Sequence, residues 1–61
     1  MEIILDDKPV ALWPGMTVRH ALLQRGLAAA VERGEKKVYD AWGNELGLDG
    51  ALSEGDRLFV R

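Results

Sequence analysis

The side chains that could carry chemistry are few and scattered. The single histidine, His20, has no serine or cysteine at a spacing that would make a nucleophile beside it. The chain has no cysteine, which excludes disulfides, thiolate zinc sites and cysteine-ligated iron–sulfur clusters. We therefore expect His20 to be a solvated residue on the exposed side of a helix. No catalytic residue and no enzyme activity are predicted.

Carboxylates come together in two places where a cation could bind. Asp6 and Asp7 are adjacent, but aspartates in a short hairpin loop are typical of a turn. Asp49, Glu54 and Asp56 lie close together in the sequence, and we expect Asp56 to accept backbone hydrogen bonds at a chain corner. Hard cations need several convergent oxygen ligands. We therefore predict no metal site and no cofactor.

Neither the glycines nor the basic residues indicate a phosphate-binding site. Gly47 and Gly50 lack the following helix and the Lys-Ser/Thr pair of a P-loop. The basic residues between positions 33 and 37 stand in a chain whose net charge is -2, so we expect a solvated loop and no nucleic-acid binding. No apolar run approaches the roughly 20 residues of a membrane span, and no signal-peptide pattern opens the chain. A cytoplasmic protein without membrane contact is expected.

The first element that must position any site is a predicted β-hairpin. Two apolar runs, residues 1–5 and 10–13, are joined by the polar loop 6–9. Alternation with period 2 assigns the side chains to two faces. One face carries Met1, Ile3, Leu5, Val10 and Leu12, and the other carries Glu2, Ile4, Ala11 and Trp13.

A helix is predicted after the hairpin. Pro14-Gly15 ends the second strand, and Thr17 is a suitable N-cap for a helix that begins at Val18. Gly26 either kinks this helix or separates it from a second short one. The residues predicted to face the core are Val18, Ala21 and Leu22 before Gly26, and Leu27, Ala30 and Val31 after it.

The remaining residues predict a second hairpin and a last strand. Residues 36–42 are predicted as a strand, Gly43-Asn44 as a turn and residues 45–48 as the return segment. Leu48 and Leu52 bracket a compact turn that closes one end of the core. The last strand, residues 57–60, turns Leu58 and Val60 inward and Phe59 outward.

The order of these elements predicts an α+β fold in a single domain, residues 1–61. The helical crossover allows the first and last strands to pair in parallel. We predict a β-grasp: a mixed four- to five-strand sheet packed on one main helix, with the terminal strands parallel and central.

The same segments carry a resemblance to a known superfamily. The opening hairpin and Pro14-Gly15-Met16-Thr17-Val18 resemble the ubiquitin-like β-grasp proteins. The segment Gly43 to Leu48, with Leu52 and Gly55-Asp56-Arg57-Leu58, is similar to the closing pattern of the sulfur carriers of thiamine and molybdopterin synthesis. It is equally similar to TGS domains and soluble-ligand-binding β-grasp domains. The carriers end in Gly-Gly, whose carboxylate is adenylated and converted to a thiocarboxylate. This sequence ends at Val60-Arg61, so no carrier residue is transferred to it.

The functional hypothesis depends on apolar residues predicted on the uncovered face of the sheet. A sheet covered on one side is normally polar on the other, and apolar patches with aromatic residues mark interaction sites. We therefore expect a non-catalytic interaction module or small subunit that docks on a larger protein through Ile4, Ala11, Trp13 and Phe59; self-association stays open. In the competing interpretation, Trp13 and Trp42 fold over the rims of the core, and Arg57 and Arg61 shield Phe59. The alternative functions are a sulfur carrier without its Gly-Gly tail and a small-ligand-binding β-grasp domain.

Overall fold

A computed structural model describes all 61 residues, Met1–Arg61. It contains five strands and two short helices in an α+β arrangement with one mixed sheet. The elements are β1 Glu2–Leu5, β2 Lys8–Ala11, α1 Val18–Gln24, α2 Ala28–Glu32, β3 Val38–Asp40, β4 Glu45–Leu46 and β5 Arg57–Val60. The strand order is β2-β1-β5-β3-β4. β1 and β5 pair in parallel, as predicted, and every other neighbouring pair is antiparallel.

The first hairpin is tighter than the sequence pattern predicts. Only Asp6 and Asp7 form the turn, and both have positive φ, 48° and 67°. A two-residue turn of this kind matches the twist of the flanking strands, and aspartate tolerates the left-handed region better than most residues. Lys8 and Pro9 therefore belong to β2 and not to the loop. Pro9 lies on an edge strand, where its missing N–H removes no ladder hydrogen bond.

The helical layer consists of two short helices instead of one main helix. α1 follows Thr17, as predicted, and ends at Gln24. Gly26, with φ of 70°, takes the chain out of the helix, and α2 restarts two residues later. Because the restart sets the buried side anew, Ala28 is the buried residue of α2, while the predicted Leu27, Ala30 and Val31 are only partly buried. Neither helix has the length and apolar character needed to cross a membrane.

The hydrophobic core lies between the sheet and the two helices. α1 contributes Val18, Ala21 and Leu22, the three residues that the sequence predicts. The full set of buried residues is Ile3, Leu5, Val10, Leu12, Val18, Ala21, Leu22, Ala28, Val38, Leu58 and Val60. Leu48 and Leu52 pack against this core as predicted. Burial of each large aliphatic side chain contributes about 1.5–3 kcal/mol.

The turn that closes the core also completes the start of α1. The carbonyl of Gly50 accepts the N–H of Val18 at 3.1 Å, and the carbonyl of Leu48 accepts the N–H of Arg19 at 2.9 Å. The first N–H groups of a helix have no partner inside the helix. Two of these groups are therefore satisfied by a loop about thirty residues further along the chain.

The second hairpin is shorter than predicted because Asp40 ends its first strand. The Asp40 carboxylate accepts the N–H groups of Trp42 and Asn44, both at 2.9 Å. A side chain that binds backbone N–H groups two and four residues ahead replaces ladder bonds with a turn. β3 thus covers Val38–Asp40 and not residues 36–42, and β4 covers Glu45–Leu46 and not residues 45–48.

Candidate interaction face

The helices leave one face of the sheet uncovered, and we call it the open face. Ile3 and Leu5 on β1 and Leu58 and Val60 on β5 are buried against the helices. Alternation along the strands sends the intervening side chains to the opposite side. The residues whose side chains lie on the open face are Glu2, Ile4, Pro9, Ala11, Lys37, Tyr39, Glu45, Arg57, Phe59 and Arg61.

The centre of the open face is an aromatic pair. Tyr39 on β3 and Phe59 on β5 are direct cross-strand partners, and both are partly buried. The Arg61 guanidinium lies over the Phe59 ring, 5.2 Å from its centroid, within the range of a cation–π contact. Between the pair and the β3–β4 turn is an open groove of about 330 Å³. Its lining is Tyr39, Asp40, Ala41, Gly43, Phe59 and Arg61.

Arg61 is held over Phe59 by a hydrogen-bond network at the end of β1. Its Nη1 donates to Asp6 Oδ1 at 3.2 Å and to the Val60 carbonyl at 3.1 Å. The same Asp6 oxygen accepts the Val60 N–H at 3.1 Å, so the turn residue extends the β1–β5 ladder with its side chain. Arg61 thus covers one side of Phe59, as the competing interpretation expects, while Tyr39 lies on the other strand beside it.

Ile4 lies on the open face next to Phe59 but not opposite it. Its partner on β5 is Arg57, and its partner on β2 is Pro9. Phe59 is two residues beyond Arg57, which corresponds to a diagonal Cα separation of about 7–8 Å from Ile4. Ile4 and Phe59 are therefore neighbours within side-chain reach, and Pro9 and Arg57 complete the row across the three strands.

Ala11 lies at the other end of the open face, and Trp13 lies just beyond the end of β2. Ala11 pairs with Glu2, and Trp13 follows two residues later with 74% of its surface exposed. A groove of about 420 Å³ lies here, lined by Met1, Ala11, Leu12, Trp13 and Pro14. Counted along the strands, Trp13 is six residues from Phe59, or roughly 20 Å. The four residues predicted for the interaction site thus lie in two separate places: Ile4 and Phe59 on the open face, and Ala11 with Trp13 at and beyond its end.

Tyr39 and the two tryptophans differ from the expectations drawn from the sequence. Tyr39 was missed, although its strand was predicted and alternation would have placed it beside Phe59 once the β3–β5 register was known. The expectation that both tryptophans fold over the rims of the core is wrong. Trp13 is 74% exposed and Trp42 is 85% exposed, and each lies two residues after the last residue of a strand.

The carboxylates form turns and corners. Asp56 accepts the N–H of Ser53 at 2.8 Å, as predicted for a corner residue. Glu54 accepts the N–H of Glu2 through both carboxylate oxygens, at 3.1 and 3.2 Å. No group of three or more His, Cys, Asp or Glu side chains is arranged to hold a metal ion. Asp49 is engaged with Arg19, whose Nη2 is 3.6 Å from Asp49 Oδ1.

Asp40 is the one titratable group with a clear pKa shift. The N–H of Asn44 is the main cause, and it lowers the pKa of the Asp40 carboxyl below its ordinary value of 3.8. Partial desolvation acts in the opposite direction, and the N–H groups of Trp42 and Gly43 and the Asn44 side chain lower the pKa further. Hydrogen bonds to the ionised form favour that form. Asp40 is therefore a structural carboxylate at the rim of the central groove.

His20 is exposed, as predicted, but it also makes a specific contact. Its Nδ1 accepts the N–H of Thr17 at 2.9 Å. A side chain three residues after the N-cap that binds the N-cap N–H completes half of a capping box, a position usually held by Glu or Gln. His20 therefore supports the start of α1.

Comparison with known proteins does not assign the chain to a family, because it matches no protein-family model and no curated protein sequence.

Proposed function

We propose that the chain is a β-grasp domain of the ubiquitin-like kind and that it works as a non-catalytic module that docks on a larger protein through the open face. The strand order β2-β1-β5-β3-β4, the parallel β1–β5 pair and the helical crossover between the two hairpins support the β-grasp assignment. The same arrangement leaves one whole face of the sheet without a covering layer.

The observation that carries the docking proposal is the Tyr39–Phe59 pair with Arg61 over it. These residues lie on the two strands at the middle of the open face, where a monomer covered on one side usually has polar residues. Tyrosine, phenylalanine and arginine are the residue types enriched in protein interfaces and their hot spots. The pair is therefore the expected centre of the contact.

The Tyr39–Phe59 pair and the region around Ala11 and Trp13 fit within one interface. A standard interface takes about 800 Å² of surface from each partner. The chain exposes 3928 Å² in total, so such a contact covers about a fifth of it. A footprint of this area is roughly 30 Å across and extends from Phe59 to Trp13.

Affinity capture with matched charge substitutions tests the proposal. Phe59→Asp puts a charge at the centre of the proposed contact. We expect much less of the partner to be recovered, because the loss of about 2 kcal/mol typical of a hot spot raises the dissociation constant about thirtyfold. Leu23→Asp is the control, because Leu23 is 59% exposed on α1 in the helical layer. Circular dichroism verifies that both variants are folded. Unchanged recovery with folded Phe59→Asp, or equal losses in both variants, would contradict the docking proposal.

The groove beside Trp13 supports a second candidate function, the binding of a small apolar ligand. Its volume of about 420 Å³ falls in the range of about 300–1,000 Å³ of known ligand sites, and four of its five lining residues are apolar. A ligand that binds only the folded chain raises the thermal midpoint. We expect such a ligand to lose its effect in Trp13→Ala and to keep it in Trp42→Ala. A screen of metabolites in which no compound raises the midpoint contradicts this candidate.

A further inference from the structure

The outer edge of β2 is one of the two edges of the sheet. The hydrogen bonds between β2 and β1 show which backbone groups of β2 point outward. Met1 and Leu12 exchange both backbone hydrogen bonds, at 2.9 and 2.7 Å. Because bonded and non-bonded pairs alternate in an antiparallel ladder, the C=O of Pro9, the N–H and C=O of Ala11 and the N–H of Trp13 point away from β1. These are the groups to which an added strand would bind.

Three residues remove most of this pairing capacity. Pro9 has no N–H. The Arg25 side chain donates from Nη2 to the Pro9 carbonyl at 3.0 Å, and the Gln24 side chain donates from Nε2 to the Ala11 carbonyl at 2.8 Å. The two outward carbonyls of β2 are therefore occupied, and the Ala11 N–H is the one outward group within the strand that stays available.

We infer that Pro9, Gln24 and Arg25 hold the β2 edge closed against strand addition by a second copy of this chain. Gln24 and Arg25 occupy the last position of α1 and the one after it, so the end of the helix positions both side chains over the strand. Both residues are exposed, and neither contributes to the buried core. Packing of the core does not require these two side chains. Their contacts with β2 give them a structural role.

A second copy is the occupant that fits this edge because the edge is self-complementary. If Ala11 lies opposite Ala11 of the second copy, each Ala11 N–H meets the other Ala11 carbonyl. In the same register each Trp13 N–H, which makes no hydrogen bond within the chain, meets a Pro9 carbonyl of the other copy. The pair forms four hydrogen bonds without needing an N–H from Pro9. A carbonyl oxygen can accept two hydrogen bonds, but the Gln24 and Arg25 side chains stand where the second strand would approach, so their contacts oppose pairing. This inference is independent of docking through the open face.

The mass of the chain in solution as a function of concentration tests the inference. We expect the wild-type chain and the control Arg33→Ala, which alters an arginine bound to Glu35, to stay at 6.7 kDa. The double variant Gln24→Ala/Arg25→Ala should rise towards twice that mass as concentration increases. Adding Ala11→Pro removes the remaining N–H donor of the strand and should return the double variant to the monomer mass. A folded double variant that stays monomeric, a dimer that survives Ala11→Pro, or a wild-type dimer that Ala11→Pro disrupts would overturn the inference.

A measurement on the wild-type chain covers the case in which the double variant does not fold. Nuclear magnetic resonance detects scalar coupling across a hydrogen bond from a side-chain nitrogen to a backbone carbonyl carbon. We expect coupling between Gln24 Nε2 and the Ala11 carbonyl, and slow exchange of the Gln24 side-chain protons with water. Absence of the coupling together with rapid exchange overturns the inference, because the carbonyl would then be open to a second strand.

Discussion

Tyr39 and Phe59 lie directly opposite each other on β3 and β5, on the open face of the sheet. Lys37 and Arg61 exchange both backbone hydrogen bonds, each at 2.8 Å, so Tyr39 and Phe59 form the next bonded pair of the same ladder. The two rings are therefore held by the register of the strands and by Arg61 above Phe59. The pair contributes to the stability of the sheet as well as to the proposed contact surface.

A double-mutant cycle measures this contribution. Tyr39→Ala, Phe59→Ala and the double variant should give a coupling free energy of about 0.2–1 kcal/mol, the usual range for a direct cross-strand pair. Equilibrium unfolding in urea supplies the free energies. The control cycle combines Tyr39 with Ile4, which lies two strands away in the sheet order and is not a partner of Tyr39. A coupling near zero in the first cycle, or equal couplings in both, contradicts the contact.

Most parts of the fold that were predicted correctly depend on local sequence patterns. Thr17 and the stripe of Val18, Ala21 and Leu22 predicted the start and the buried side of α1, because helix periodicity and capping depend on residues within two turns. The parallel β1–β5 pair also followed, since a helical crossover between strands leaves few other topologies.

The parts of the fold that were predicted incorrectly depend on turns whose geometry is set by individual aspartates. The Asp40 carboxylate shortens β3, and the positive φ of Asp6 and Asp7 shortens the first loop. Both turns change which residues pair across their hairpins. The position of Tyr39 opposite Phe59 follows only from the β3–β5 register. The Arg25 guanidinium extends to the Pro9 carbonyl on the edge strand, a contact that no sequence pattern predicts.

The Asp40 turn predicts a specific dependence of stability on pH. Because the folded-state pKa of Asp40 is lower than the ordinary value of 3.8, the unfolded chain takes up the proton more readily. The stabilisation is therefore complete above the unfolded pKa and is lost as the pH falls through the folded pKa. Asp40→Asn removes this titration. We expect the variant to be less stable than the wild-type chain at neutral pH, with a difference that shrinks as the pH falls below 3.8.

Urea unfolding of both chains over this pH range checks the prediction. Asp7→Asn is the matched control, because Asp7 is exposed and its carboxylate makes no hydrogen bond or ion pair in the structure. Its difference from the wild-type chain in the free energy of unfolding should not shrink below pH 3.8 in the way expected for Asp40→Asn. A difference between Asp40→Asn and the wild-type chain that stays constant into acid, or one that grows there, would show that the turn does not favour the ionised carboxylate.

The contact between His20 and the Thr17 N–H predicts which substitutions α1 tolerates. Alanine is a poor test, because its higher helix propensity of up to about 0.7 kcal/mol offsets the lost hydrogen bond. Glutamine and methionine have nearly equal propensities, and only glutamine can accept from the N-cap N–H. We expect His20→Gln to be more stable than His20→Met by about 0.5–1.5 kcal/mol, the net value of one hydrogen bond.

The same exchange on α2 is the control for His20. Ala29 is exposed and is the second residue of α2, whereas the capping-box contact comes from the third, so Ala29→Gln and Ala29→Met should differ little in the free energy of unfolding. Equal stabilities of the two variants at position 20, measured by urea unfolding, would mean that the contact with Thr17 does not stabilise the start of the helix.

Gly50 and Gly47 give a matched pair for the turn that completes α1. A Cβ at Gly50 would lie 3.1 Å from the Gly47 carbonyl oxygen and 3.5 Å from Val18 Cγ2, whereas a Cβ at Gly47 would meet nothing within 4 Å. Gly50 also supplies the carbonyl that accepts the Val18 N–H, so any shift of its backbone loosens the helix start. We expect Gly50→Ala to destabilise the chain by about 1 kcal/mol. The thermal midpoint should fall by about 4–8 °C for a chain of this size.

Gly47→Ala is the control. It should be neutral or stabilising by about 0.4–1 kcal/mol, because it reduces the freedom of the unfolded chain. Equal midpoints for the two variants would show that the turn does not constrain position 50.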